Sequence, residues 1–317
     1  MQESDTTEED PTPLALCAVA SDEHAGEVVQ VARHLTAAGG YRTLFAHIVP
    51  APVPIRPTYG NVRGGWPGPD LAGDAVETLR RQALEGAGSL FASVGVEPSD
   101  ASCVRFGDST DRLAELAEEH GVDLVVTGCR GRGALLGALM GSLSRTFATD
   151  PRWPVLVARA PDALGRGGPV VCGVAGALAE ARAAVAGGVA VARRLGSSLT
   201  VAHVTDERRG SSPNGRPHND EDMAGRQMLG RLAADLPTNL DVELRLEPGE
   251  PAARLVELAD ARDASVVVVG CRPRGALRSA LEGSVSLDLV RDCERSVLIV
   301  PTSQHHPPSG SRNPEAA

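Results

Sequence analysis

The sequence predicts an α/β protein made of two tandem domains, each with a doubly wound parallel sheet and helices on both faces. An internal repeat spans most of the 317 residues, which indicates two copies of one fold. Short β-rich runs alternate with helical patterns in each copy, and this order implies right-handed crossovers. Runs such as Val266–Val269 are apolar without alternation, as expected of central strands that are covered on both faces.

The repeat is clearest when residues 123–159 are placed over residues 265–301, a shift of 142 positions without a gap. The segment VVTGCRGRGALLGALMGSLS then lies over VVVGCRPRGALRSALEGSVS. Nearer the start of each half the offset is larger, because the first half has a longer internal loop, and His47 there matches His203. Four of the six cysteines are repeat partners, which favours buried core thiols over a redox pair. The matched pairs are Cys17 with Cys172 and Cys129 with Cys271.

Apolar runs and amphipathic patterns predict the elements of the first half. The strands are predicted at Leu14–Val19, Thr43–Val49, Ala101–Phe106, Val122–Thr127 and Val155–Ala158. The helices are predicted near residues 24–38, 70–94, 109–120 and 142–149. In the third helix, Leu113, Leu116 and Ala117 fall on one face, and His120-Gly121 supplies a stop signal.

The domain boundaries follow from the repeat and from changes in composition. The first domain is predicted at residues 13–160 and the second at residues 169–301, joined by a short linker at residues 161–168. The acidic residues 1–12 and the polar, proline-containing residues 302–317 are expected to be disordered, because such segments bury little apolar surface.

The composition argues against several kinds of function. With a net charge of −10 and 3% aromatic residues, the chain is expected to repel nucleic acid and to lack base-stacking platforms. All 31 basic residues are arginines, which removes lysine-dependent phosphate binding and catalysis. The apolar stretches near the start are too short for a membrane helix, and the acidic N-terminal sequence does not resemble a signal peptide. We therefore expect a cytoplasmic protein without membrane contact.

The sequence also lacks common catalytic and metal-binding motifs. It contains no CxxC, GxSxG or HExxH, and no GxGxxG follows a predicted strand. His47 and His203 stand mid-strand at equivalent positions, so they are interpreted as core or hydrogen-bonded histidines. These observations predict a protein that is not an enzyme and holds no dedicated metal site.

A glycine pattern carries the strongest functional signal. Gly128, Gly131 and Gly141 are followed by Ser142 in the arrangement G-x2-G-x9-G-S, from the end of the fourth strand to the start of a helix. Glycines let backbone N–H groups approach an anion, and a helix N-terminus attracts negative charge. If the strand order is 3-2-1-4-5, the first and fourth strands flank the topological switch point where ligands bind. The alternative is that these glycines are ordinary turn residues.

With the AHIV strand and the GDS helix start, these motifs resemble the universal stress proteins in a tandem two-domain form. The glycine pattern matches that family's ATP-binding signature. The resemblance implies a five-stranded parallel sheet in each domain. It also implies pairing through the last strands, which within this chain would join Val155–Arg159 to Val297–Pro301, with a homodimer as a further arrangement. Members are linked to stress survival and regulation rather than to a defined reaction.

The resemblance further implies that ATP lies across the carboxyl ends of the first and fourth strands, with Mg²⁺ carried by its phosphates. The motif glycines and Ser142 would hold phosphates and ribose, and Ile48 would meet the adenine through its backbone. The implied nucleotide-binding residues are Val19, Ala20, Ile48, Gly128, Gly131, Arg132, Gly141, Ser142, Leu143 and Ser144. The weaker equivalents in the second domain are Gly270, Gly283 and Ser284.

Two departures from the family pattern weaken these expectations. ATP-binding members usually carry an Asp at the end of the first strand, where this chain has Ala20 and Ala175. Losing a charged acceptor costs ~1.5–3 kcal/mol, and Asp22 is a candidate substitute. In the second half Pro273 replaces the second glycine, and proline has no N–H to donate. We therefore expect a first site that binds ATP and a second site that is degenerate.

Two other functions stay open at this point. The fold can serve as a nucleotide-independent dimeric scaffold or interaction protein, in which case the missing Asp reflects lost binding. An adenylating enzyme of the same broad fold is disfavoured by the absence of lysine and of a recognisable substrate domain. Any ATP hydrolysis is expected to be slow, since no candidate general base is evident.

Overall fold

The computed structural model describes residues 12–38, 40–50, 69–128, 152–205, 219–271 and 285–302. Within these ranges the chain forms ten strands and eight helices. The strands are β1 Leu14–Ala18, β2 Arg42–Val49, β3 Ser102–Phe106, β4 Leu124–Gly128, β5 Val155–Ala158, β6 Val170–Val174, β7 Leu199–Thr205, β8 Val242–Pro248, β9 Val266–Cys271 and β10 Ser296–Pro301. The helices are α1 Ala25–Ala37, α2 Pro69–Ser93, α3 Ser109–Glu119, α4 Pro161–Gly165, α5 Leu178–Leu195, α6 Asn219–Ala233, α7 Pro251–Ala261 and α8 Val285–Asp292.

Each half contains a five-stranded parallel sheet in the expected order. The first half runs β3-β2-β1-β4-β5 and the second runs β8-β7-β6-β9-β10, which is 3-2-1-4-5 in both. In each half the first strand therefore lies between the second and the fourth. The doubly wound α/β fold predicted from the repeat and the alternating elements is confirmed.

The two halves meet along their last strands. β10 pairs with β5 in antiparallel orientation, with Val297 opposite Val157 and Leu298 opposite Leu156. The ladder makes one ten-stranded sheet. Because β5 and β10 run in opposite directions, the strands of the two halves also run in opposite directions. The carboxyl ends of the first-half strands and those of the second-half strands therefore lie on opposite sides of the sheet, measured along the strands.

Apolar side chains cover both faces of the sheet. On one face, a single cluster of buried residues contains side chains from both halves, including Leu156 of β5 and Leu298 of β10. On the other face there are two clusters, one around Leu113 and Leu116 of α3 and one around Leu289 of α8 that also includes Val157 of β5. The uninterrupted apolar sequence of the central strands follows from this coverage on both sides.

Helix α3 shows how the sequence sets an element. Its Leu113, Leu116 and Ala117 are buried, as the periodicity predicts. Asp108 caps its start by accepting hydrogen bonds from the N–H groups of Thr110 (2.9 Å) and Asp111 (3.2 Å). The helix ends at the predicted stop signal, where Gly121 has a φ of +59°.

The structure corrects several predicted boundaries. β4 begins at Leu124 rather than at Val122, because the Val122 N–H bonds back to the Ala117 carbonyl as part of the turn that ends α3. β1 ends at Ala18, one residue before the predicted end. The linker contains a short helix, α4, which begins with Pro161 and buries Leu164 beside α1. The helix predicted at residues 142–149 lies outside the described residues.

Candidate functional site

The carboxyl ends of β1 and β4 lie side by side in the first half. Ala18 of β1 pairs with Thr127 of β4, and β4 continues one residue further to Gly128. The chain leaves β1 through Val19, whose N–H donates to the Ala46 carbonyl of β2 at 2.8 Å. β1 has its sequence neighbour β2 on one side and β4 on the other, so this is the topological switch point of the domain.

Gly128 stands where β4 comes closest to the start of α1. A Cβ atom at this position would lie 3.3 Å from Val28 Cγ2 and 3.4 Å from His24 Cβ. Both distances are at the tight end of ordinary contacts, so a larger side chain would push β4 and α1 apart. The first glycine of the motif thus lies in a close contact between β4 and the start of α1.

His47 of β2 holds the end of β1. Its Nδ1 lies 2.7 Å from the Val19 carbonyl oxygen, and because a carbonyl only accepts, the imidazole donates this hydrogen bond. The ring of Phe91, on α2, packs against His47 edge to face, with centroids 6.4 Å apart. The second half repeats the bond between His203 Nδ1 and the Val174 carbonyl at 2.9 Å. The sequence predicted core or hydrogen-bonded histidines, and the structure shows that both are hydrogen-bonded.

Ile48 follows His47 and directs its backbone toward the switch point. Residues of a parallel strand present their N–H and C=O groups to alternate neighbours. Ala46 bonds to Val19 on the β1 side, so the backbone groups of Ile48 point to the same side, beyond the end of β1. The Ile48 side chain is buried and pairs in register with Arg105 of β3.

The loop from β1 to α1 carries acidic residues. Ala20 is half-buried, and its methyl group offers no acceptor in place of a carboxylate. The Asp22 carboxylate accepts a hydrogen bond from the His24 N–H at 3.1 Å, which orders the turn before α1. Glu23 and Glu27 each lie 3.5 Å from the His24 imidazole. These carboxylates, at and just before the start of α1, would disfavour a bare polyphosphate bound beside them and favour one whose charge is reduced by a cation.

The rest of the predicted constellation is not covered by the structure. Gly128, Val19, Ala20 and Ile48 are described and lie together around the switch point. The remaining predicted residues fall outside the described ranges: Gly131, Arg132, Gly141, Ser142, Leu143, Ser144 and, in the second half, Gly283 and Ser284.

The carboxyl ends of the strands in the second half differ from those in the first half in the residue that follows the last strand. β9 and β10 continue to Cys271 and Pro301, and Thr302 then donates to the Cys271 carbonyl from its N–H at 3.0 Å and from its Oγ1 at 3.1 Å. A Cβ atom at Gly270 would lie 2.6 Å from Thr302 Cγ2. The prediction that disorder begins at residue 302 is therefore wrong for Thr302, which these hydrogen bonds fix.

The residue at the equivalent place in the first half is an alanine, which has no hydroxyl to donate. Ala160, which corresponds to Thr302 at the offset of 142, adopts a φ of +40° and turns the chain into α4. The space beside Gly128 is therefore shaped differently from the space beside Gly270.

Comparisons with known proteins agree with this architecture. The family model described as the universal stress protein family matches twice, at residues 15–159 and 168–301. The chain belongs to the universal stress protein family. A universal stress protein of Mycolicibacterium smegmatis is 29% identical over 261 residues, covering 79% of this chain and 87% of the relative. One from Mycobacterium tuberculosis is 31% identical over 242 residues, covering 71% of each chain.

A solved universal stress protein from Archaeoglobus fulgidus shares the fold. It superposes with a TM-score of 0.65 at 15% sequence identity, covering 92% of this chain and all of the other. At that identity the likeness concerns the fold alone. The tandem arrangement that the repeat predicts is thus seen both in the two family matches and in a solved structure of similar extent.

The repeat-partner cysteines of this universal stress protein are buried core residues where they are described. Cys17 and Cys172, the repeat partners on β1 and β6, are fully buried, and burial raises the pKa of the Cys172 thiol to about 12. Cys271 is buried at the end of β9. Cys129 lies outside the described residues. Within the described ranges, no group of three or more His, Cys, Asp or Glu side chains is arranged to hold a metal ion.

A helix that crosses a bilayer must be both long and strongly apolar, and the helices of the described ranges can be judged by these two requirements. None of them meets both requirements.

Two features of the site were missed by sequence reasoning. The bond from His47 to the Val19 carbonyl depends on ring orientation, although the repetition of a mid-strand histidine in both halves was a signal that pointed to a shared role. The two hydrogen bonds from Thr302 to the Cys271 carbonyl depend on how far β10 extends, and the polar tail sequence gave no signal for them.

Proposed function

We propose that the first half of this universal stress protein binds an adenine nucleotide at the carboxyl ends of β1 and β4. The ligand would be ATP, with Mg²⁺ carried by its phosphates, and the protein would act as a stress-response sensor without vigorous catalysis. One observation carries the proposal: the glycine motif begins at Gly128, beside the end of β1, where the backbone of Ile48 faces the same space. This is the location where open α/β sheets bind ligands.

The backbone contacts fit a nucleoside that is held without a carboxylate. Val19 and Ile48 present their main-chain groups around the switch point, and the half-buried methyl group of Ala20 provides an apolar contact for a base or sugar. The carboxylates of Glu23 and Glu27 near the start of α1 favour a phosphate chain that is neutralised by Mg²⁺. We therefore expect binding of Mg-ATP to be tighter than binding of ATP in the presence of a chelator.

We propose that the second half does not bind nucleotide. Thr302 reaches over the end of β9 and occupies the space beside Gly270. Pro273, in place of the second motif glycine, has no N–H to offer a phosphate. Both features act on the second motif alone, so the chain is expected to bind one nucleotide rather than two.

Calorimetric titration with Mg-ATP tests both statements. Gly141→Asp and Gly283→Asp are matched variants, since each places a carboxylate at the third motif glycine of one half. We expect about one site per chain, abolished by Gly141→Asp and unchanged by Gly283→Asp, because an acidic side chain repels phosphate. No heat and no thermal stabilisation at millimolar ATP would reject nucleotide binding and favour the scaffold function instead.

Product analysis addresses catalysis. We propose that purified protein incubated with Mg-ATP releases ADP slowly or not at all, because no general base is apparent from the sequence. Formation of AMP and pyrophosphate would instead indicate an adenylating enzyme. The Gly141→Asp variant serves as the control for contaminating ATPases.

We also propose that the β5–β10 ladder is the arrangement of the chain in solution and that a homodimer, if formed, uses another surface. The ladder leaves β3 and β8 as the outer strands of the sheet. Light scattering on purified protein measures the oligomeric state. A dimer that dissociates when an outer strand is altered would place the contact there.

A further inference from the structure

A histidine clamps the end of the first strand in both halves of the molecule. In the first half, His47 Nδ1 donates to the Val19 carbonyl at 2.7 Å, and in the second half His203 Nδ1 donates to the Val174 carbonyl at 2.9 Å. In the first half, the Val19 N–H is also bonded, to the Ala46 carbonyl at 2.8 Å. Two consecutive residues of β2 thus hold both main-chain groups of Val19, and this fixes the orientation of the peptide that leads to Ala20.

The orientation of each imidazole is itself set by a helix. Phe91 of α2 meets His47 edge to face, with ring planes 82° apart. In the second half α6 lies so close that a Cβ atom at Gly225 would stand 2.7 Å from His203 Cδ2. Each imidazole therefore presents an Nδ1–H group to the carbonyl oxygen that accepts from it.

We infer that His47 is a positioning residue for the nucleotide site: it fixes the Val19–Ala20 peptide against which the nucleoside binds. This inference rests on the proposed function. Because Ala20 supplies no side-chain acceptor, binding at the end of β1 depends on main-chain groups and on the exact placement of one peptide. Rotating that peptide would displace Ala20 and the start of the loop toward α1 from the nucleoside.

The decisive comparison is between variants that keep and lose a donor at the Nδ1 position. In His47→Asn the amide nitrogen can occupy nearly the place of Nδ1, whereas in His47→Gln it lies one bond further out, and His47→Leu has no donor. We expect the Kd for Mg-ATP to rise about tenfold in His47→Leu and His47→Gln, the factor for one lost hydrogen bond. His47→Asn is expected to recover most of the affinity.

The matched control is His203→Leu, which removes the same bond from the second half. It should lower the free energy of unfolding by an amount similar to His47→Leu while leaving the Kd within about twofold of the wild type, since it does not touch the first site. Affinity is measured by calorimetry and stability by urea unfolding, at a temperature where every variant is folded. If His47→Leu does not fold, the comparison of His47→Asn with His47→Gln decides the question.

Three results would overturn the inference. An unchanged Kd in His47→Leu and His47→Gln, with wild-type protein binding Mg-ATP, would show that His47 is structural only and would leave the proposed function intact. An equal loss of affinity in His203→Leu would indicate general destabilisation. Absence of Mg-ATP binding in the wild type would overturn the proposed function and this inference together.

Discussion

The hydroxyl of Ser296 and the backbone of Arg159 are joined by two hydrogen bonds. Ser296 Oγ donates to the Arg159 carbonyl at 2.6 Å and accepts from the Arg159 N–H at 3.1 Å. Ser296 begins β10, and Arg159 follows the last residue of β5, so one hydroxyl completes the ladder that joins the two halves at this end. At the other end Pro154, the repeat equivalent of Ser296, has no side chain able to form such bonds.

Removing this hydroxyl is expected to destabilise the protein. Ser296 is 1% exposed, and Ser296→Ala would leave the Arg159 N–H and carbonyl without it. We expect a loss of about 1–3 kcal/mol in the free energy of unfolding, measured by urea denaturation. Ser89→Ala is the control, because Ser89 is exposed and bonds only within its own helix. Equal effects of the two substitutions would contradict this assignment.

Two glycines of α6 should respond in opposite ways to alanine. A Cβ atom at Gly225 would lie 2.7 Å from both His203 Cδ2 and Leu246 Cδ1, whereas a Cβ at Gly230 meets nothing within 4 Å. Gly230→Ala is expected to stabilise the protein by about 0.5–1 kcal/mol through helix propensity. Gly225→Ala is expected to destabilise it by about 1–3 kcal/mol, because the added methyl overpacks a closed contact. Thermal unfolding of both variants measures the difference.

Glu247 forms a buried ion pair near the outer edge of the sheet. Its carboxylate accepts from Arg245 Nε at 2.5 Å and from two nitrogens of Arg254 at 3.1 and 2.7 Å. Burial raises the pKa of Glu247, but the hydrogen bonds from Arg254 and Arg245 and the positive charges of these two residues lower it by more, so the pKa lies below its usual value.

A carboxyl group whose pKa is lowered by folding stabilises the protein above its unfolded pKa of about 4.3. That contribution is lost as the pH falls through the folded-state pKa. We expect Glu247→Gln to cost about 1–3 kcal/mol at pH 7 and progressively less as the pH drops below about 4. Glu257→Gln is the matched control, because Glu257 pairs with the same Arg254 but its side chain is 64% exposed. It should change stability by at most about 0.5 kcal/mol. Urea unfolding as a function of pH measures both.

The N-terminal cap of α3 provides another test. The Asp108 carboxylate accepts from the N–H groups of Thr110 and Asp111, so Asp108→Ala is expected to cost about 0.5–2 kcal/mol. Asp108→Asn keeps an acceptor oxygen and should cost far less. Glu250 caps α7 in the same manner in the second half. If both substitutions at Asp108 had equal effects, charge rather than capping would account for the stability.

Sequence reasoning predicted the fold because its signals are redundant. The repeat doubles the evidence for every strand, and the β-branched apolar run at Val266–Val269 is typical of a strand covered on both faces. Helix α4 was not predicted, because five residues are too few to show a helical periodicity of apolar residues. It is stabilised by tertiary packing, as the burial of Leu164 shows. The start of β4 was predicted two residues too early, because Val122 is apolar but belongs to the turn that ends α3 and not to the strand.

The candidate site was predictable only in part. The motif located Gly128 at the correct strand end, since strand ends follow from the chain order. The contact between His47 and Val19 could not be derived, because a sequence specifies residue types but not ring orientations. The role of Thr302 depends on the length of β10, and strand ends are among the least certain features of a sequence.

The ladder between β5 and β10 also has a thermodynamic consequence. Both strands belong to one chain, so formation of the ten-stranded sheet is an intramolecular equilibrium. The fraction of molecules with the sheet assembled is therefore independent of the protein concentration. Two separate subunits joined in the same way would dissociate on dilution. Here the short connection through α4 holds the second half near the first at an effective concentration on the order of millimolar. With the ladder as the arrangement in solution, as proposed above, the sheet is expected to stay assembled at any dilution of the protein.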